Sequence, residues 1–93
     1  MLQAERILHL RERLAARLAP QHLEISDDSH HHIGHAGARG GGHYTVHIVT
    51  SAFSGKTLLE RHRMIYDALR DMMQTEIHAL SIQARSPDEL STP

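Results

Sequence analysis

The chain contains no cysteine and no tryptophan, and its aromatic hydrophobic residues are one phenylalanine and two tyrosines. Without cysteine there can be no disulfide, no thiolate metal site and no cysteine nucleophile. The sequence also lacks an apolar run long enough to cross a bilayer. Its first residues alternate charged and apolar side chains and contain no apolar core of a secretory signal, so we expect a cytoplasmic protein without a membrane contact.

An excess of charge of one sign is missing as well. Ten lysine and arginine residues oppose eleven aspartate and glutamate residues, for a formal net charge of −1. A broad basic surface of the kind that holds nucleic acid is therefore not predicted. Histidine is abundant instead, with ten copies in 93 residues. Because imidazole is a common metal ligand, we expect any distinctive chemistry to depend on histidine.

The apolar patterns predict an α+β two-layer sandwich with the order α-β-β-α-β. Spacings of three and four predict helices over 3–19 and 56–73, and alternation predicts strands over 22–28, 43–51 and 77–84. We expect the first two strands to pair antiparallel and the third to join them in parallel through a crossover helix. The three-stranded mixed sheet would then carry both helices on one face.

The domain boundaries follow from the same patterns. We expect one domain over residues 1–86 and a polar C-terminal tail over 87–93 that frays from Ser86 onward. Within the second helix, Thr57 and Glu60 have the spacing of a capping box.

A glycine- and histidine-rich segment over 29–42 is predicted to be a loop. Its four histidines could gather a metal ion after a modest rearrangement, or could bind nickel or zinc only adventitiously. No acidic or sulfur ligand stands at a fixed spacing to close such a site. The histidines concerned are His30, His31, His32 and His35.

Two of the histidines on predicted elements, His62 and His78, are further candidates for a functional role. His62 falls between Leu58 and Ile65 on the apolar stripe of the second helix, which is typical of a hydrogen-bonded, partly buried histidine. Its neighbours Arg61 and Arg63 are expected to reach solvent, where they could meet an acidic partner or a phosphate.

His78 begins the third predicted strand and shares strand parity with Leu80 and Ile82. The pattern alone favours a satisfied histidine at the strand edge. No spacing marks a nucleophile motif or a pair of catalytic carboxylates, so we do not expect an enzyme.

The sequence resembles the BolA family in several motifs that occur in the expected order. They are Phe53-Ser54-Gly55, then Arg61-His62-Arg63 and Tyr66 on one helix, and finally His78-Ala79-Leu80. The resemblance extends over roughly residues 5–85. It implies a fold like the type II KH domain, although the G-x-x-G loop by which KH modules clamp nucleic acid is absent.

The resemblance also implies a function. BolA-like proteins partner monothiol glutaredoxins, and the pair can share a 2Fe–2S cluster that is also held by the glutaredoxin cysteine and by glutathione. The family's strand ligand corresponds to His78 and its loop ligand corresponds best to His32, with His30, His31 and His35 as competitors. The isolated protein is expected to carry no cluster and to be a monomer or a weak homodimer.

Two other functions stay open at this point. Some bacterial BolA-like proteins are described as DNA-binding regulators of stress and morphology genes, and a metal-binding protein could be built on the loop histidines. DNA would have to be held by Lys56, Arg61, Arg63 and Arg39, which is a small electrostatic footprint. The surface expected to meet a partner or nucleic acid comprises Lys56, Arg61, His62 and Arg63.

Overall fold

The computed structural model of the protein describes residues 3–28 and 42–90. The predicted order α-β-β-α-β is confirmed, except that the second helix is divided in two and a short helix follows the last strand. No helix in the described part of the chain is both long and apolar enough to span a membrane. The elements are α1 (Gln3–Leu18), β1 (His22–Asp27), β2 (Gly42–Val49), a 3-10 turn (Ser51–Phe53), α2 (Leu58–Ala68), α3 (Arg70–Thr75), β3 (Ile77–Arg85) and α4 (Pro87–Leu90).

The sheet has the order β1-β2-β3, so β2 is the central strand. β1 pairs antiparallel with β2, and β3 pairs parallel with β2 on the other side. This is the predicted mixed sheet. The parallel pairing follows from the intervening α2 and α3, because a parallel neighbour can be reached only through a long crossover.

One face of the sheet forms the core with the helices. Alternation along β2 places Tyr44, Val46 and Ile48 on this face, and each of them is almost completely buried. The helices contribute apolar side chains spaced by three or four residues, namely Leu10, Leu14 and Leu18 from α1 and Ile65, Leu69 and Met72 from the later helices. The opposite face of β2 carries His43, Thr45 and His47, which are half-buried.

The expectation of one continuous helix over 56–73 is wrong. Leu69 has φ −105° and ψ 14°, which interrupts the helix, and its N–H is shared between the carbonyls of Ile65 and Tyr66. Neither glycine nor proline stands at the break, and the apolar stripe of Ile65, Leu69 and Met72 continues across it. Periodicity therefore gave no sign of it. Leu58, predicted on the same stripe, is 64% exposed.

The predicted fraying from Ser86 is also wrong for the residues that the structure describes. Pro87–Leu90 forms a helical turn. The Glu89 carboxylate accepts hydrogen bonds from the Arg61 guanidinium and from the Ser86 N–H, both at 2.7 Å. These bonds hold the segment against the body of the domain, and only residues 91–93 of the predicted tail lie outside the described chain.

Candidate functional site

His78 occupies an irregular position in the sheet. Gly42 faces Ile77 and the next residue of β2, His43, faces Ala79, so His78 is an extra residue in the parallel ladder. Such a bulge bends the strand and redirects a side chain. Ile77 is buried in the core while His78 is exposed. The predicted parity of His78 with Leu80 and Ile82, which pack against the core, is therefore broken by the bulge.

The bulge brings His78 beside a second histidine. The ring centroids of His43 and His78 are 5.0 Å apart, with the ring planes tilted by 48°. His43 belongs to the face of β2 that points away from the helices, so His78 is also on that side. Sequence reasoning missed His43. Its outward parity on β2 was visible, but its neighbour depends on the register between β2 and β3.

The histidine-rich segment leaves and re-enters the sheet at this same end. The Asp28 N–H donates to the His43 carbonyl at 2.7 Å, and the Gly42 N–H donates to the Glu76 carbonyl at 3.1 Å. Both ends of the segment are thus attached next to the start of β3. The four histidines predicted as loop ligands, and Arg39, lie outside the described residues: His30, His31, His32 and His35.

Gly42 is required at this entry point because Tyr44 packs over it. A Cβ atom on Gly42 would lie 2.5 Å from the Tyr44 hydroxyl oxygen and 2.6 Å from its ring. The Tyr44 side chain is buried in the core, and burial raises the pKa of its hydroxyl even though a hydrogen bond with Arg6 opposes the shift. The beginning of β2 is therefore held by a close aromatic contact directly beside His43.

Arg61 does not reach solvent as the sequence predicted. It is 5% exposed, and its guanidinium donates to the carbonyls of Lys56 and Ala84, each at 3.0 Å, and to Glu89 at 2.7 Å. It also lies 5.8 Å above the centre of the Phe53 ring. Arg61 therefore joins α2 to β3 and α4. This ion pair, with the Ser86 N–H, lowers the pKa of the Glu89 carboxyl to about 2.

The outer face of α2 presents a mixed surface. Lys56 and Arg63 are exposed and His62 is half-buried. Spacings of three and four residues place His62 and Arg63 on one face with three exposed hydrophobic side chains, Leu58, Leu59 and Tyr66. The start of this helix has the predicted capping box, in which Thr57 and Glu60 bond each other's backbone N–H groups. This surface is named the α2 face below.

The fold and this geometry define an α+β domain whose three-stranded mixed sheet carries an exposed histidine at a bulge. A family model described as BolA-like protein matches residues 14–89. The chain belongs to the BolA family. The BolA domain of SufE1 from Arabidopsis thaliana has the same fold, with a TM-score of 0.82, 43% identity, and coverage of 96% of this chain and 99% of that one.

Curated relatives include longer proteins. SufE-like protein 1, chloroplastic/mitochondrial, of Arabidopsis thaliana is 44% identical over an aligned length of 89 residues, and the alignment covers 89% of this chain and 24% of that protein. Protein BOLA1, chloroplastic, of the same plant is 42% identical over an aligned length of 88 residues, and the alignment covers 90% of this chain and 55% of that protein. The chain thus spans between a quarter and somewhat over half of these relatives. The Escherichia coli protein named DNA-binding transcriptional regulator BolA is 39% identical over 82 residues, covering 88% and 73% of the two chains.

Proposed function

We propose that this protein is an adaptor that binds a monothiol glutaredoxin and shares a 2Fe–2S cluster with it, in cluster trafficking or iron sensing. One observation carries the proposal. The bulge turns His78 out of the sheet at the end where the histidine-rich segment is attached. A strand imidazole and a segment imidazole can therefore approach the same cluster, with His32 as the favoured segment ligand and His30, His31 and His35 as competitors.

The donor set available in this chain suits a shared cluster better than a resident one. A chain without cysteine cannot hold an all-thiolate cluster, but it offers imidazoles. In the shared arrangement the sulfur ligands come from the glutaredoxin cysteine and glutathione. Replacing thiolate by neutral imidazole makes the cluster less negative and raises its reduction potential.

The α2 face is the surface that we assign to the glutaredoxin. It combines exposed apolar side chains with the cations Lys56 and Arg63, whereas Arg61 is committed to internal hydrogen bonds. Apolar anchors rimmed by charge are the usual composition of a protein interface. Arg61 contributes indirectly, because it holds the helix that presents this face.

The test combines the purified protein with a monothiol glutaredoxin that carries a glutathione-ligated 2Fe–2S cluster and follows visible circular dichroism. We expect a new cluster spectrum for the wild type and its loss in His78→Ala. His22→Ala is the matched control, since His22 is an exposed histidine at the opposite end of the same sheet. His32→Ala, beside the same change at His30, His31 and His35, identifies the segment ligand.

A second part of the test measures the affinity between this protein and the glutaredoxin in variants of the α2 face. We expect Leu58→Asp to weaken the complex at least about tenfold, since an unpaired charge would be buried at the interface. Leu90→Asp replaces another exposed leucine, on α4, and should leave the affinity unchanged. An unchanged cluster spectrum on mixing, with no complex formed, would refute the adaptor function.

DNA binding is the second candidate, favoured by the name of the Escherichia coli relative. The structure weakens it, because burial removes Arg61 from the cations that could contact phosphates. If it occurs, it should depend on Lys56 and Arg63. Fluorescence anisotropy with duplex DNA at increasing salt would then show that the affinity for DNA falls only slowly as the salt concentration rises. In Lys56→Gln this fall should be slower still. Affinity unaffected by Lys56→Gln and Arg63→Gln together would exclude this surface.

A further inference from the structure

Three metal-ligating side chains meet on the sheet face that points away from the helices, far from His78. Glu24 of β1 lies directly opposite His47 of β2 in the antiparallel register, and His22 precedes Glu24 by two residues on the same face of β1. One ligand atom from each of the three side chains lies within 4.8 Å of the other two. Only the strand pairing brings them together, since 23 positions separate Glu24 from His47.

We propose that His22, Glu24 and His47 form a zinc-binding site. Two imidazole nitrogens and one carboxylate oxygen are a donor set that proteins use for Zn²⁺, with a fourth position left open. Tetrahedral zinc at ordinary bond lengths requires donor atoms about 3.4 Å apart. The ligand atoms of the three side chains already lie within 4.8 Å of one another, with 2.7 Å between His22 Nε2 and Glu24 Oε1, so their spacing brackets that value.

His47 supplies an independent observation. Its Nε2 atom is buried and has no hydrogen-bond partner among the described residues. A buried polar atom without a partner is costly, and coordination of an ion by this nitrogen would remove that cost. The His22 ring lies edge-on to the His47 ring, with centroids 5.4 Å apart. His22 and Glu24 are exposed, so an ion can reach the cluster from solvent without opening the core.

The group formed by His22, Glu24 and His47 is distinct from His78, the proposed ligand of the 2Fe–2S cluster. His47 and His43 are four residues apart on β2, or about 13 Å along an extended strand, and His78 contacts His43. Gln83 of β3 faces His47 in the parallel register, on the side of β2 opposite to Glu24. A zinc ion there would link the edge strand β1 to the central strand. This site does not depend on the glutaredoxin function.

The test must first separate this cluster from the histidine-rich segment, which can also take up zinc. A background variant with His30, His31, His32 and His35 all changed to asparagine leaves the sheet cluster intact. Competition against a chromophoric chelator then measures the affinity for Zn²⁺. We expect one zinc ion per chain in this background, and an affinity at least about tenfold lower when His22→Gln, Glu24→Gln or His47→Gln is added, since even outer-shell changes cost that much.

His9→Gln is the matched control, because His9 lies on α1 away from the cluster and should leave the affinity unchanged. NMR provides a readout that does not depend on the stability of the variants. In the background variant, zinc should shift the ring resonances of His22 and His47 but not those of His9. Zinc uptake that survives the His22 and Glu24 changes, or the absence of uptake in the background variant, would overturn the proposal.

Discussion

At the scale of single residues, the role of a charged side chain depends on whether it is buried and on whether its hydrogen-bonding groups then have partners. Arg61 shows this clearly, because its guanidinium donates to two backbone carbonyls and a carboxylate and lies over an aromatic ring. Burying a guanidinium is tolerable only with such partners. Arg63, two residues later on the same helix, is exposed. Two arginines that look equivalent in the sequence therefore have different roles.

Replacing Arg61 by lysine should be destabilising despite the conserved charge. An ammonium group cannot reproduce the planar fork that serves Lys56, Ala84 and Glu89 together, so at least one buried acceptor is left unpaired. We expect a loss of about 2 kcal/mol in the free energy of unfolding measured with urea. Arg63→Lys should change it by less than about 0.5 kcal/mol. Equal effects for the two variants would contradict the anchoring role of Arg61.

The Arg61–Glu89 pair also predicts a pH dependence. The pKa of Glu89 is about 2 in the folded protein and ordinarily 4.5. Because the folded value is the lower one, the pair stabilises the fold above pH 4.5, and that contribution is lost as the pH falls from 4.5 toward 2. Urea unfolding of the wild type and Glu89→Gln should differ at pH 6 and converge toward pH 2.

Glu12→Gln, an exposed position on α1, provides the control for this comparison. Its difference from the wild type should not follow the same curve. A difference between the wild type and Glu89→Gln that stays constant down to pH 2 would refute the pairing.

At the scale of elements, the ends of strands and helices position the candidate site. The bulge at His78 turns this side chain outward, and the packing of Tyr44 over Gly42 fixes where β2 begins beside it. The capping box orients the first turn of α2 and hence the exposed leucines of the α2 face. The site is thus assembled from termini whose geometry is set by a few short-range contacts.

Gly42→Ala should disturb the start of β2. The new methyl group would overlap the Tyr44 ring, which is enclosed by the core and cannot swing freely. We expect a loss of about 1–3 kcal/mol in stability. We also expect the pKa of Tyr44, which burial raises, to move back toward 10 in a spectrophotometric titration. Unchanged stability together with an unchanged tyrosine titration would show that the strand start accommodates a side chain.

Thr57→Ala should weaken α2 at its first turn. The variant loses the hydroxyl that accepts the Glu60 N–H at 3.1 Å, leaving one backbone donor unsatisfied. We expect the free energy of unfolding to fall by about 1 kcal/mol. Thr75→Ala removes the same group from the last residue of α3 and serves as the control. Equal losses in the two variants would argue against a capping contribution.

At the scale of the whole molecule, one apolar core holds the helical layer to the sheet. Ion pairs on the surface also connect α1 to α2 and α3. Leu14 of α1 is completely buried in that core. Around it, Arg13 pairs with Asp71 at 3.3 Å and Arg17 pairs with Asp67 at 2.8 Å. These charged groups are largely exposed, so solvent screens them. Apolar burial should therefore dominate the docking of α1.

This ranking is testable with two substitutions. Leu14→Ala should lower the free energy of unfolding by about 3 kcal/mol, because it leaves a cavity in the core. Asp67→Asn removes the carboxylate that pairs with both Arg17 and Arg70, but it should lower the free energy of unfolding by less than about 1 kcal/mol. Its effect should vanish in 1 M salt, whereas that of Leu14→Ala should persist. An Asp67→Asn loss as large as that of Leu14→Ala would reverse the ranking.

The sequence by itself determined the α-β-β-α-β order of the main elements, the direction of each strand pair, the core face of β2 and the capping box of α2. These features depend on the periodicity of side chains and on residues within one turn of each other, and both can be read directly from the sequence. The motifs around Arg61-His62-Arg63 and His78 were also enough to indicate the BolA family. His30, His31, His32 and His35 remain predicted ligands, because they lie outside the described residues.

The tertiary structure decided which of these side chains meet. The bulge that exposes His78, the contact of His78 with His43, and the cluster of His22, Glu24 and His47 all depend on strand register. The burial of Arg61 depends on acceptors 5 to 28 positions away. A one-residue change in register would move every side chain of a strand to the other face. Local pattern leaves that register open, and only the packing of all three strands against one core fixes it.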